Sequence, residues 1–289
     1  MKYEGAIYRP PSEARSLILQ VTIGCAHNRC SFCTMYREKK FRIRDTKEVC
    51  QEIREAALTY GDRIEKFFLA DGDALVIKTD QMLQILEQIR TSFPAQKRIT
   101  SYGTASDILR KSGEELRVLR AAGLHMVYLG AESGDEKVLK EVGKNTTREE
   151  LIRAGQSLKE AGILSSVTLI SGLGGKERFE EHAIQSADLI SEMNPDYVGF
   201  LTLLLDPKAP ISQQIRSGEK TLLSPEEVVE EMELFLSHVD SEGTVFRANH
   251  ASNYLLLKGE LNRDIPRMLS ELRFARENHQ FRKENWRAF

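Results

Sequence analysis

The stretch that decides the fold is SLILQVTIGCAHNRCSFC, residues Ser16 to Cys33. Its first half, Ser16–Ile23, is an apolar run with the length and composition of a buried strand. Its second half contains three of the four cysteines in the chain, Cys25, Cys30 and Cys33, within nine residues. A strand that leads directly into a cysteine loop predicts a metal site or a reactive site at the carboxyl end of that strand.

Apolar runs and helical patterns alternate along the rest of the chain. The further predicted strands are Lys66–Ala70, Lys97–Gly103, Leu124–Ala131, Ile163–Ser171 and Asp196–Leu205. Capping signals that mark the starts of helices are Asp45 with Glu48, Thr147 with Glu150, and Ser224 with Pro225 and Glu227. Six strand–helix units in series predict a parallel α/β sheet whose apolar strands are covered on both faces. A doubly wound sheet and a barrel both fit this count, and both gather ligands at the carboxyl ends of the strands.

The composition is typical of a water-soluble enzyme or binding protein. The 289 residues are 41% hydrophobic and 29% charged, with a net charge of −2, and they suffice for one large domain. No segment has the roughly 20 apolar residues of a membrane span or the apolar region of a secretory signal. Clustered cysteines favour a reducing cytoplasm over a secreted disulfide framework. The net charge does not indicate nucleic acid binding, although the basic run Arg273–Phe289 leaves RNA open as a partner.

Two metal centres fit the cysteine loop. A structural zinc ion needs four ligands, and His27 or Cys50 would have to be the fourth. Cys50 lies within a predicted helix, where a lone cysteine is usually a small buried apolar residue. A [4Fe–4S] cluster held by three thiolates would instead keep one iron open to a reactant. The zinc reading corresponds to a zinc-stabilised α/β binding or adaptor protein, and the cluster reading to an enzyme.

The loop resembles that of the radical S-adenosylmethionine superfamily. Phe32 makes the second spacing C-S-F-C, and the family loop is C-x3-C-x-aromatic-C, whereas this chain has C-x4-C-x2-C. The segment GAESGDEKVLK, Gly130–Lys140, is similar to the corresponding segment of methylthiotransferases, the elongator catalytic subunit and oxygen-independent coproporphyrinogen oxidase. The resemblance covers roughly residues 16–205, and it implies a partial (β/α)6 TIM-type barrel with a C-terminal extension.

The resemblance also implies two cofactors, a [4Fe–4S] cluster and S-adenosylmethionine. The implied cluster ligands are Cys25, Cys30 and Cys33, and the implied cofactor contacts are Phe32, Asp71, Gly72, Asp73, Ser101, Thr104, Glu132, Ser133 and Gly172. Asp71 to Asp73 stand where the family turn holds the amino group of the cofactor. Glu132 stands at the position of an acid that contacts the ribose or the methionyl part, with capping of the next helix as the alternative role.

The remaining expectations concern domains, substrate and partners. One domain is expected over residues 1–289, with a core at 16–205 and a substrate-side extension at 206–289. The turn after the predicted strand Thr244–Ala248 contains Asn249, His250 and Asn253. These residues are substrate-binding candidates, and the alternative is that the turn forms its hydrogen bonds within itself. An electron donor such as flavodoxin or ferredoxin is the expected protein partner. The substrate is not identified, and the chain is expected to be a minimal radical enzyme.

Overall fold

The structure is a computed structural model and describes residues 1–288. The basic C-terminal run therefore ends one residue beyond the described part of the chain, because Phe289 lies outside it. The strands are β1 Leu17–Gln20, β2 Thr22–Ile23, β3 Arg42–Ile43, β4 Lys66–Ala70, β5 Arg98–Gly103, β6 Leu124–Glu132, β7 Leu164–Ser171, β8 Tyr197–Thr202, β9 Val245–Ala248 and β10 Leu257–Glu260.

Helices follow most of these strands. They are α1 Thr46–Tyr60, α2 Thr79–Ser92, α3 Ala105–Leu109, α4 Gly113–Ala121, α5 Glu136–Glu141, α6 Arg148–Glu160, α7 Phe179–Met193, α8 Ile211–Arg216, α9 Pro225–His238 and α10 Ile265–Glu277. Within residues 1–288, none of the helices combines the length and the apolar character that crossing a membrane requires.

The chain divides into two compact units, and the first comprises residues 1–28, 35–129 and 156–165. Its parallel strands lie in the order β1-β4-β5-β6, and β2 pairs with β3 in a separate two-stranded ribbon. On one face of the sheet, the ring of Phe67 packs edge-on against Phe93, which follows α2, with 4.9 Å between the ring centroids. This face is therefore covered by helical structure.

Residues 1–16 cover the other face of these strands. Ile7 packs against an apolar cluster that includes Phe68 and Tyr128. The Tyr128 hydroxyl lies 2.7 Å from the Ser12 hydroxyl and donates a hydrogen bond to Glu13, whose side chain is fully buried. Burial, and next the hydrogen bond to Glu13, raise the pKa of Tyr128. Both faces of this sheet are thus covered, as its apolar strands predict.

The second unit comprises residues 29–34, 130–155 and 166–288. Its strands lie in the order β7-β8-β9-β10, in which β10 alone is antiparallel to its neighbour. Burial alternates strictly along β7, β8 and β9. The buried face packs on α9, where the ring of Phe235 lies 5.1 Å from Phe200 and 6.0 Å from Phe246. The other face is partly exposed, so the prediction of strands covered on both faces is wrong for this unit.

Most of the predicted elements are present. The six strand–helix units follow the predicted order, and the capping boxes at Thr147 and Ser224 form both of their hydrogen bonds. The predicted strand Ser16–Ile23 is divided into β1, which pairs with β4, and β2, which pairs with β3; Val21 between them donates its N–H to Ala70 of β4. The division into two units leaves the expectation of a single domain over residues 1–289 a prediction.

Packing between β8, β9 and α9 predicts a large stability loss for Phe246→Ala. Phe246 is fully buried, and truncation of a buried phenylalanine usually lowers the free energy of unfolding by about 3–5 kcal/mol. Leu58→Ala is the control, because Leu58 is 90% exposed. Urea unfolding followed by circular dichroism measures both variants. Equal midpoints for the two variants would contradict this description of the core.

Candidate active site

A buried carboxylate holds the entrance to the cysteine loop. Asp71 directly follows β4, and its Oδ2 accepts hydrogen bonds from Gly24 N and Gln20 Nε2, both at 2.9 Å. Lys39 Nζ lies 2.8 Å from the same oxygen, and the Asp71 side chain is fully buried. The other oxygen, Oδ1, is buried without a hydrogen-bond partner among the described residues. Oδ2 thus holds Gln20, Gly24 and Lys39 together, and Oδ1 can still accept a hydrogen bond.

A second carboxylate holds the loop on the other side of Cys25. Asp73 Oδ2 accepts a hydrogen bond from Ala26 N at 2.9 Å, and Asp73 is 2% exposed. Gly72 stands between the two acids, and a Cβ added there would lie 2.7 Å from the Tyr36 ring and 3.4 Å from Cys25 Cβ. The backbone around Cys25 is therefore fixed by two carboxylates and by a close contact that requires glycine.

The second part of the loop, Arg29–Thr34, belongs to the second unit and has its own attachments. Ser31 N donates to Val142 O at 2.8 Å, and Ser31 O accepts from Ile211 N at 3.0 Å. Phe32 packs against the buried cluster that contains Val142 and Ile211. Phe32, an implied cofactor contact, therefore also anchors the loop between Cys30 and Cys33.

The cysteines that the sequence singled out are all partly exposed. Cys25, Cys30 and Cys33 have intermediate burial, as does Cys50 within α1. Cys50 Sγ lies 3.9 Å from Gln84 O, and burial raises the pKa of this thiol. Among residues 1–288, no three His, Cys, Asp or Glu side chains are grouped closely enough to hold a single metal ion.

Glu132 ends β6 in an unusual backbone conformation. Its φ of 69° lies in the left-handed region, which is costly for a residue with a Cβ. Its Oε1 lies 3.0 Å from Lys144 Nζ. A Cβ at Gly130 would lie 2.2 Å from that oxygen, so glycine leaves room for the carboxylate. The cap of α5 is Asp135, which accepts the N–H of Lys137, and the alternative capping role therefore falls to Asp135 and not to Glu132.

Three hydroxyl candidates form hydrogen bonds within the protein. Ser101 Oγ donates to Tyr102 O at 2.8 Å, and Ser133 Oγ accepts from Asp135 N at 2.9 Å. Thr104 caps α3 in a capping box with Asp107. These local bonds account for the three side chains, and their proposed contacts with the cofactor stay predictions.

A carboxylate that sequence reasoning missed holds the glycine turn after β7. Glu231 of α9 is fully buried, and its Oε2 accepts the N–H of Gly172 at 2.8 Å. The same side chain accepts a hydrogen bond from Ser171 Oγ, and its Oε1 lies 3.0 Å from His182 Nδ1. Gly172 has a φ of 79°, which favours glycine. The sequence feature that could have indicated Glu231 is its position within the apolar stripe of a predicted helix.

The turn with the substrate-binding candidates follows β9, which pairs with β8, the sixth predicted strand. Asn253 is 1% exposed, accepts from Thr202 Oγ1 at 2.9 Å and donates to Phe200 O at 2.8 Å. His250 Nδ1 lies 2.9 Å from Ser252 Oγ, and burial lowers the pKa of His250. Asn249 is exposed. The amide of Asn253 thus fastens the turn to β8, and Asn249 is the accessible member.

Arginines of the basic C-terminal run hold the same turn. Arg287 donates to Ser252 O at 2.6 Å and to Leu203 O at 2.7 Å, and its guanidinium lies 4.1 Å from the Tyr254 ring centroid. Arg282 donates to Ala251 O at 2.8 Å. These contacts pack this part of the basic run against the protein.

Comparison with known proteins identifies a family for this arrangement. Residues 19–190 match the family described as the Radical SAM superfamily. The anaerobic magnesium-protoporphyrin IX monomethyl ester cyclase of Rubrivivax gelatinosus is 30% identical over 221 residues, which are 76% of this chain and 38% of that protein. The chain thus spans less than half the length of this relative.

Two solved structures share the fold. Coproporphyrinogen III oxidase of Escherichia coli, a radical SAM enzyme, has a TM-score of 0.57 at 18% identity, covering 78% of this chain and 54% of its own. The radical S-adenosylmethionine methyltransferase TsrM of Kitasatospora setae has a TM-score of 0.57 at 23% identity, covering 70% of this chain and 39% of its own. These likenesses confirm the predicted fold class, a partial barrel of parallel strands.

The contact between Gly72 and Tyr36 predicts that Gly72→Ala destabilises the protein. The added methyl group would lie 2.7 Å from a ring that is itself buried, and overpacking of this kind costs about 1–3 kcal/mol. Gly113→Ala is the control, because its added Cβ would have only an ordinary contact at 3.5 Å. Thermal unfolding should show a lower Tm for Gly72→Ala than for the control. Equal Tm values would mean that Tyr36 moves away without cost.

Proposed function

Because the chain belongs to the Radical SAM superfamily, we propose that Cys25, Cys30 and Cys33 are the ligands of its [4Fe–4S] cluster. The observation that carries this proposal is the support given to the loop: Asp71 and Asp73 hold the backbone on both sides of Cys25. Phe32 anchors the part that contains Cys30 and Cys33. Three thiolates leave one iron open, and the partly exposed cysteines are chemically suited to soft iron–sulfur ligation.

We further propose that Asp71, Asp73 and Glu132 favour binding of the positively charged cofactor. Asp71 keeps a buried oxygen without a partner among the described residues, which suits the ammonium group of S-adenosylmethionine. Glu132 is held in a strained conformation, and such strain is concentrated at functional sites. We propose the buried glycine turn around Gly172 as backbone that lies along the adenosine. Gly72, Ser101, Thr104 and Ser133 are proposed as weaker contacts.

The chemistry that follows belongs to the superfamily. When bound and reduced, the cluster supplies the electron that cleaves S-adenosylmethionine to methionine and a 5′-deoxyadenosyl radical, which abstracts hydrogen from a substrate. The residues of this chain hold the loop, place carboxylates near the cationic cofactor and restrict access of water. We propose that the electron donor is a flavodoxin or ferredoxin and that the protein acts in the cytoplasm.

Tetrapyrroles are the first substrates that we propose to test. The cyclase from Rubrivivax and the oxidase from Escherichia coli are both named for tetrapyrrole substrates, and they resemble this chain in sequence and in fold respectively. Asn249 and His250 are proposed substrate contacts at the turn after β9, with Asn253 holding that turn.

Removal of single thiols tests the cluster ligands. We expect Cys25→Ala, Cys30→Ala and Cys33→Ala to abolish iron binding after anaerobic reconstitution, because the remaining thiolates do not suffice to hold the cluster. Cys50→Ala is the matched control and should retain about four irons per chain. Iron and sulfide analysis with absorbance near 400 nm measures the result. A loss of iron in Cys50→Ala equal to that of the other variants, or a colourless wild-type protein that holds one zinc, would contradict the assignment.

Neutralising Glu132 tests the cofactor contact. Charge-assisted hydrogen bonds contribute roughly 1.5–3 kcal/mol, so Glu132→Gln should weaken binding of S-adenosylmethionine roughly tenfold to a hundredfold at unchanged iron content. Glu114→Gln is the control, because Glu114 is an exposed helix residue paired with Arg117. The measurements are the Kd from calorimetry and the formation of 5′-deoxyadenosine by dithionite-reduced protein. An unchanged Kd in Glu132→Gln would show that Glu132 does not contact the cofactor.

A further inference from the structure

The segment that follows β8 fastens the second half of the cysteine loop. Asp206 lies four residues beyond Thr202, the last residue of β8, and therefore follows the carboxyl end of that strand. Its Oδ2 accepts a hydrogen bond from Thr34 Oγ1 at 2.6 Å, across 172 residues of sequence. Thr34 directly follows Cys33. A carboxylate from outside the loop is thus bonded to the neighbour of a proposed cluster ligand.

The same segment holds the loop on the other side of Cys33. Ile211 N donates to Ser31 O at 3.0 Å, and Phe32 packs against the buried cluster that contains Ile211. The hydroxyl bond of Thr34 completes the attachment after the cysteine. The backbone on both sides of Cys33 is therefore fixed by one stretch of chain that follows β8.

The carboxylate of Asp206 is itself held in place. Its Oδ1 accepts the N–H of Lys208 at 2.8 Å, which is the hydrogen bond of an Asx turn. Its backbone oxygen accepts from Ala209 N at 2.9 Å and from Ser212 Oγ at 2.6 Å. These bonds orient Asp206, so its other carboxylate oxygen is a fixed acceptor for Thr34.

The groups that bind the Asp206 carboxylate do not neutralise its charge. The Thr34 hydroxyl and the Lys208 N–H are both neutral donors. Asp71, which holds the start of the loop, differs because a lysine ammonium lies 2.8 Å from its carboxylate. The net charge around an iron–sulfur cluster and the hydrogen bonds to its sulfurs set its reduction potential. Asp206 adds a negative charge next to the loop and takes up a hydroxyl beside Cys33.

Given the cluster of the proposed function, on which this role rests, we propose that Asp206 is a positioning residue that holds Cys33 through Thr34 and lowers the reduction potential of the cluster. A low potential suits the reaction, because the reduced cluster has to transfer an electron to a sulfonium. The two effects can be separated. Asp206→Asn keeps an acceptor oxygen for the hydroxyl but removes the charge, whereas Thr34→Val removes the hydroxyl and leaves the charge.

A redox titration followed by electron paramagnetic resonance tests the charge. At a fixed potential, Asp206→Asn should show about a tenfold higher ratio of reduced to oxidised cluster than wild type, which is about 59 mV for one electron. Asp240→Asn is the matched control. Asp240 also accepts a side-chain hydrogen bond, from Asn262 at 2.7 Å, but it precedes β9 at the amino end of that strand. Equal potentials in wild type, Asp206→Asn and the control would overturn the effect on the potential.

The reactivity of the thiols in the apoprotein tests the positioning role. Loss of a hydrogen bond to a charged acceptor favours local opening of the loop, so alkylation of Cys33 in Thr34→Val should be about tenfold faster than in wild type. Thr34→Ser keeps the hydroxyl and should react at the wild-type rate. Peptide mass spectrometry measures the rate at each cysteine, with Cys50 as the internal reference. Equal rates at Cys33 in Thr34→Val and Thr34→Ser would overturn the positioning role.

Failure of the proposed function gives a different result from failure of the role of Asp206. Wild-type protein without iron after anaerobic reconstitution would refute the proposed function and the effect on the potential. The alkylation rates need no iron and would still decide whether Asp206 holds Cys33 through Thr34. A more positive potential in Asp206→Asn at unchanged iron content would support the effect of the charge even where Thr34→Val fails to fold.

Discussion

The buried carboxylate of Asp71 is the interaction on which the loop depends. A fully buried charge is stable only when it is paired and hydrogen-bonded, and Asp71 meets this condition through Lys39, Gln20 and the backbone of Gly24. Its position directly after β4 couples the end of a central strand to the residue before Cys25. A soft-metal centre needs thiols at fixed positions, and this ion pair provides a rigid start for the loop that contains them.

The strands of the two units differ in how their faces are covered. In the first unit residues 1–16 cover the face opposite the helices, and the buried Glu13 accepts a hydrogen bond from Tyr128 of β6. In the second unit the residues on the sheet face opposite α9 are partly exposed, and they include Arg247 and Lys258.

The strands, the helix starts and the cysteine loop could be predicted from the sequence. The apolar patterns and the capping hydrogen bonds that mark them involve residues only a few positions apart. The roles of individual polar residues depend on partners far away in the chain. The sequence does not indicate that the amide of Asn253 binds Thr202 and Phe200, and its contact with substrate stays a prediction. Glu231 gives almost no signal, although it holds Gly172 across 59 residues. Arg247 and Lys258 become neighbours only through strand pairing, which the sequence does not indicate.

The central claim is that three thiolates hold a cluster with one iron open to S-adenosylmethionine. Electron paramagnetic resonance of the dithionite-reduced, anaerobically reconstituted protein tests it most directly, because a ligand at the open iron changes the g values of the cluster. The reduced protein should give the signal of a [4Fe–4S] cluster. This signal should shift when S-adenosylmethionine is added and should not shift when buffer alone is added. A [4Fe–4S] signal that is identical with and without saturating S-adenosylmethionine would contradict it.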